Sequence, residues 1–139
     1  MFTIGKLSSL AEVSPDALRY YEREGLLTPT SKSEGGYRLY DDASVRRVRL
    51  IKQAQQCGFT LAEICELLAL RSDNDACCGD IRTRAIEKKL QLEGKIHTLR
   101  GMSKALDALI ADCTHKDHSV KECPILAALE QPAAVARSE

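Results

Sequence analysis

The side chains best suited to chemistry in this 139-residue chain are six cysteines and three histidines. Cys57 and Cys65 fall in apolar helical stretches, where free cysteine usually behaves as a small buried hydrophobe. His97 stands between Lys95 and Arg100 on what reads as a solvated helix face. The other six cluster in two places, Cys77-Cys78 and then Cys113, His115, His118 and Cys123. Thiolates and imidazoles together select a thiophilic ion, and four mixed S/N donors favour tetrahedral zinc. Because Cys113 and Cys123 stand ten residues apart, the spacing is looser than a CxxC pair. A static zinc staple or plain reduced thiols are therefore alternatives on spacing alone. A thiol-redox enzyme using Cys77-Cys78 is disfavoured, since adjacent cysteines lack the CxxC spacing and no βαβ pattern surrounds them.

The segment between the two clusters must position them. From Asp80 to about Asp112 the chain has no proline, and its only glycines are Gly94 and Gly101. Leu92, Ile96, Leu99, Ser103, Leu106 and Ile110 recur at alternating steps of four and three, a heptad seam. A continuous helix at ~1.5 Å per residue would separate Cys78 from Cys113 by roughly 50 Å, too far to share an ion within one chain. The seam needs a partner helix, and a second copy of the chain is the simplest source. In an antiparallel pair crossing near Ile96, Cys78 of one copy would meet Cys113 of the other. Their separation is a whole number of heptads, so both fall on the seam side. Such a dimer would carry two equivalent sites, each built from both subunits.

The N-terminal half reads as short helices. Thr3 can cap one with Ile4, Leu7, Leu10 and Ala11 at helical spacing, and Ser14-Pro15 starts a second with Leu18 and Tyr21 inward. Gly25 stops that helix, and two short helices across a tight turn form a helix-turn-helix. Segments flanking Gly35-Gly36 read as a hairpin, or wing. Asp42 is expected to cap a helix through Val45, Val48 and Ile51 that ends at Gly58. Thr60 and Glu63 form a capping box for a helix from Leu61 to about Leu70. The fold expected is mainly α: a winged helix-turn-helix head, a helical connector, a long antiparallel coiled-coil dimerisation helix, and a C-terminal metal-binding loop with a short helix. By residue this is a DNA-binding domain at 1–71, a linker loop at 72–79, the dimerisation helix at 80–112, the metal-binding loop and short helix at 113–131, and a tail at 132–139.

Composition narrows the function classes. Twenty basic groups balance twenty acidic ones, which ordinarily counts against nucleic-acid binding. Residues 1–71 carry ten basic and nine acidic groups, so a DNA-reading face must come from folding rather than from a basic tail. No apolar run approaches the ~18–20 residues of a membrane span, and the start lacks a secretory core, so a cytoplasmic location is expected. Six cysteines there favour metal or redox chemistry over disulfides.

Ile4-Gly5-Lys6-Leu7, Arg19-Tyr20-Tyr21-Glu22, Gly25-Leu26-Leu27, Gly36-Tyr37-Arg38-Leu39-Tyr40 and Phe59-Thr60-Leu61, followed by a Cys-bearing loop and long helix, resemble the MerR family of metal-responsive transcriptional regulators. The resemblance covers nearly the whole chain, although Lys6 stands where the family commonly has Glu. It is strongest to the zinc-responsive branch, through Cys78 and the run Cys113, His118, Cys123-Pro124-Ile125-Leu126. Thr114 stands where that branch has a second adjacent Cys, a place His115 or Cys77 is available to fill.

The resemblance implies a non-enzymatic homodimer that binds double-stranded promoter DNA with an overlong spacer and distorts it for RNA polymerase when metal binds. Zn2+ is the expected ion, with Cd2+ or Pb2+ as alternatives and an iron–sulfur or thiol redox regulator more remote. Metal ligands are expected among Cys78, Cys113, His118, Cys123, His115 and Cys77. DNA contacts are expected from the helix opened by Ser14 and Pro15, through Arg19, Tyr20 and Arg23, and from Tyr37 and Arg38 in the wing. Arg46, Arg47 and Arg49 are weaker candidates.

Overall fold

A computed structural model describes residues 1–132; the C-terminal tail expected from residue 132 lies outside the described residues beyond that point. Two compact units divide the chain, one spanning Met1–Lys88 and the other beginning at Lys89.

In the first unit, α1 (Ile4–Ala11) and α2 (Pro15–Arg23) form the helix-turn-helix. Thr3 caps α1 by accepting from the Lys6 N–H, and Ser14 caps α2 by accepting from the Ala17 N–H at 3.1 Å. The turn between them is made by Glu12, a non-glycine residue in the left-handed region (φ 57°). Its carbonyl accepts from Lys52 Nζ at 2.8 Å, and Ser8 Oγ donates to the next carbonyl, that of Val13. Gly25 ends α2 with φ 78°. The wing is a pair of two-residue antiparallel strands, β1 (Ser31–Lys32) and β2 (Arg38–Leu39), with Gly36 at φ 83° in the connection.

Helix α3 (Asp42–Gln56) is capped by Asp41, one residue earlier than expected from the sequence. Asp41 accepts from the Ser44 N–H at 3.0 Å, a bond that holds its carboxyl below the usual range. Helix α4 (Leu61–Arg71) carries the capping box: Thr60 N–H donates to Glu63 Oε1 at 2.8 Å, and Glu63 N–H donates to Thr60 Oγ1 at 3.2 Å. The core joins Leu7, Leu18, Leu26, Leu27, Tyr40, Val48, Ile51 and Ile64, from α1 through α4 and the strand end. Leu18 and Tyr21 face inward as the helical spacing requires.

Helix α5 (Cys78–Asp112) runs unbroken for 35 residues. It begins two residues before the expected Asp80, because the Asp80 carboxylate accepts from the Cys77 N–H at 2.8 Å and lets Cys78 enter the first turn. Two ion pairs fasten its first half to α4: Lys88 Nζ to Glu63 Oε1 and Arg84 Nη1 to Glu66 Oε2, each 2.8 Å.

In the second unit the seam residues Leu92, Ile96, Leu99, Leu106 and Ile110 are all exposed in the single chain. A loop and one 3-10 turn (Val120–Glu122) follow, then α6 (Pro124–Leu129). No helix among the described residues is long and apolar enough to cross a membrane.

Candidate DNA interface and metal-binding loop

The DNA-reading candidates lie on α2 and the wing of the first unit. Arg19 Nη1 pairs with Asp16 at 2.9 Å and stays half exposed. The Arg23 guanidinium lies 5.7 Å from the centre of the exposed Tyr20 ring, a cation–π contact that keeps both on the helix surface. Tyr37 is 72% exposed at the wing, more than any other Tyr or Phe among the described residues. Arg38 Nη1 donates to Glu22 Oε1 at 3.0 Å, while Tyr40 Oη donates to Glu22 Oε2 at 2.7 Å. Burial, reinforced by that hydrogen bond to a carboxylate, pushes the Tyr40 phenol up to about 12.

This three-residue network was not visible in the sequence. Its members are 16 and 18 residues apart and obey no helical or strand period. Arg47 and Arg49, named above as weaker DNA candidates, have internal roles. Arg47 Nε donates to the Leu26 carbonyl and Arg49 Nη2 to the Leu10 carbonyl at 2.9 Å. Together with Lys52, Arg49 places positive charge over carbonyls at the end of α1, where the helix dipole is negative.

The cysteines divide differently from the expectation. Cys57 and Cys65 are exposed in the chain, not buried. Cys57 is the C-cap of α3, past the last core-facing turn. Cys65 lies off the edge of the α4 stripe made by Leu61, Ile64 and Leu68, of which Ile64 and Leu68 are buried. Cys77 and Cys78 are exposed at the start of α5 in the first unit.

In the second unit, Cys113, His115, His118 and Cys123 border one cavity of about 240 Å³. Both cysteines there are half-buried, and the two imidazoles stack with ring centres 4.7 Å apart and planes 12° from parallel. His118 Nδ1 faces Glu122 Oε2 at 3.5 Å, leaving Nε2 for a ligand. The donor types fit a thiophilic ion. Their arrangement stops short of a complete site: among the described residues, no three His, Cys, Asp or Glu side chains are gathered to hold a metal ion.

A helix-turn-helix with a wing, a capped connector and a long helix bearing an uncovered seam define a DNA-binding regulator. Residues 2–70 match the model of the MerR HTH family regulatory proteins, and residues 45–109 match that of the MerR DNA-binding segment. The chain is 37% identical to the HTH-type transcriptional regulator ZntR of Escherichia coli K12, over 99% of both chains. Its fold superposes on the regulator PbrR691 of Ralstonia metallidurans CH34, solved with lead(II), with a TM-score of 0.83 and 33% identity over 93% of this chain and 99% of that one. It superposes on MerR of Bacillus megaterium MB1, solved with mercury(II), with a TM-score of 0.71 and 36% identity over 94% and 100%. The chain belongs to the MerR family of transcriptional regulators, and is not an enzyme. Within that family it stands among the metal-responsive members.

Proposed function

We propose that the chain works as a homodimer that senses zinc and activates transcription from a promoter whose two recognition elements are too far apart. The observation that carries this reading is the paired thiols and imidazoles around one cavity, at the end of a helix whose apolar seam lies uncovered. The functional division we adopt is residues 1–71 for DNA reading, 72–79 as linker, 80–112 for dimerisation and 113–131 for the sensing loop.

Cys78 of one chain joins Cys113, His118 and Cys123 of the other, and His115 or Cys77 supplies the donor that Thr114 lacks. The thiols would bind an ion as thiolates, and a mixed set of S and N donors suits zinc. A site shared by two chains couples its occupancy to how the two DNA-reading heads are held. Each head presents α2 to a major groove, with Ser14 and Pro15 at the entering end and Arg19 and Tyr20 toward the bases. Arg23, Tyr37 and Arg38 take phosphates, and that grip is the lever for bending or untwisting the spacer so that RNA polymerase can engage both elements. The regulated gene is an efflux function for the same ion.

The test is in vitro transcription from the native promoter, titrated with buffered Zn, Cd, Pb and Cu(I). Activation at the lowest free concentration by zinc is expected; a lead or cadmium optimum would move the assignment to those ions, a reading favoured by the likeness to the lead(II)-bound regulator. Cys78→Ser and Cys113→Ser should each abolish metal-dependent transcription while operator binding persists. Loss of operator binding in both variants would instead make the site a structural staple.

A further inference from the structure

A carboxylate on the second helix of a helix-turn-helix is an electrostatic anomaly, because that helix approaches a polyanion. Helix α2 carries two, Asp16, which is exposed and paired with Arg19, and Glu22, whose side chain is only 9% exposed. Glu22 does not face outward with Arg19 and Tyr20. It turns toward the wing, where one oxygen takes Arg38 Nη1 and the other takes the Tyr40 hydroxyl.

Tyr40 is the fixed end of this chain. It is fully buried, and its backbone is locked to Phe2 by two hydrogen bonds, Phe2 N–H to the Tyr40 carbonyl at 2.6 Å and Tyr40 N–H to the Phe2 carbonyl at 2.8 Å. Arg38 is the free end. Its side chain is half exposed, and a guanidinium has five N–H donors in a rigid fork, so the bond to Glu22 leaves others for a phosphate.

We infer that Glu22 is a positioning residue for DNA binding: anchored by Tyr40, it sets the Arg38 guanidinium at a fixed reach from α2, so that recognition helix and wing engage the duplex as one body. The inference rests on the reading of Arg38 as a phosphate contact. A long arginine without this anchor must give up rotamer freedom on binding, which weakens the contact it makes.

The experiment measures operator affinity of the full-length protein by fluorescence anisotropy across a KCl series, for wild type, Glu22→Gln, Tyr40→Phe, Arg38→Ala and the Glu22→Gln/Arg38→Ala double variant. Thermal unfolding of each runs in parallel. Arg38→Ala should reduce the slope of log affinity against log salt by about 0.9 per protomer. Glu22→Gln should weaken operator binding about tenfold, the scale of one charge-assisted hydrogen bond, and reduce the slope in the same direction. Tyr40→Phe should do so to a lesser degree. The double variant should bind no more weakly than Arg38→Ala alone.

Additive losses in the double variant would overturn the inference, as would a lowered melting temperature with an unchanged salt slope. Tighter binding by Glu22→Gln would also overturn it, by showing that the carboxylate competes with DNA for Arg38. If Glu22→Gln does not fold, Tyr40→Phe carries the same comparison. An Arg38→Ala variant with wild-type affinity and slope would instead remove the phosphate assignment itself, a failure recognisable apart from the others.

Discussion

Glu63 accepts from the Thr60 N–H and pairs with Lys88 Nζ, so one carboxylate both caps α4 and ties it to α5. Lys88 is buried to 6% exposure, and its ammonium also lies 5.6 Å from the centre of the Phe59 ring. The Lys88 partner, followed by the Thr60 cap, holds the Glu63 carboxyl down to about 2 from an ordinary 4.5. A lowered carboxylate stabilises the fold fully above its unfolded value and loses that contribution as pH falls through the folded one. Glu63→Gln keeps an acceptor for the cap but removes the charge facing Lys88. It should lower the melting temperature at neutral pH, and the gap to wild type should close as pH falls from about 4.5 toward 2, as followed by circular dichroism. A gap constant with pH would mean that shape, rather than charge, accounts for the loss.

At the scale of elements, the helix ends carry much of the definition of the DNA-binding head. Gly25 sits at φ 78°, and a Cβ built there meets nothing within 4 Å. Gly25→Ala should therefore cost about 1 kcal/mol from backbone strain alone, read as a shift in urea midpoint with an unchanged m-value. Capping and periodicity made these elements legible in advance: Thr3, Ser14, Thr60 and Gly25 all behave as their residue types dictate. Asp41 and Asp42 are adjacent, equally good caps, so the one-residue error at α3 has no local remedy. The exposure of Cys57 and Cys65 is not legible in the sequence, because apolar neighbours do not reveal the width of a helix's buried stripe. The Glu22 network was illegible for a different reason. It depends on the wing folding back against α2, a tertiary fact that no local pattern encodes.

At the scale of the molecule, the helical rise between Cys78 and Cys113 already implies a site that one chain cannot complete, and among the described residues no three His, Cys, Asp or Glu side chains are gathered to hold an ion. The seam of α5 makes the same demand for a second chain. Leu99 is 61% exposed and Ile110 63%, values untenable for a long helix standing alone in water. Sedimentation should give a dimer, and Leu99→Asp, which sets a charge into the middle of the seam, should shift it toward monomer. An unshifted mass would place the pairing surface elsewhere on the chain.

Gly94 and Gly101 lie within that continuous helix, and each disfavours it by up to about 1 kcal/mol relative to alanine. Association must then supply much of the order that the segment lacks by itself, and mass action enters its folding. The melting temperature of such a protein rises with its concentration. Copy number becomes a physical variable of the sensor: a cell holding few molecules keeps a smaller fraction of them assembled and able to respond.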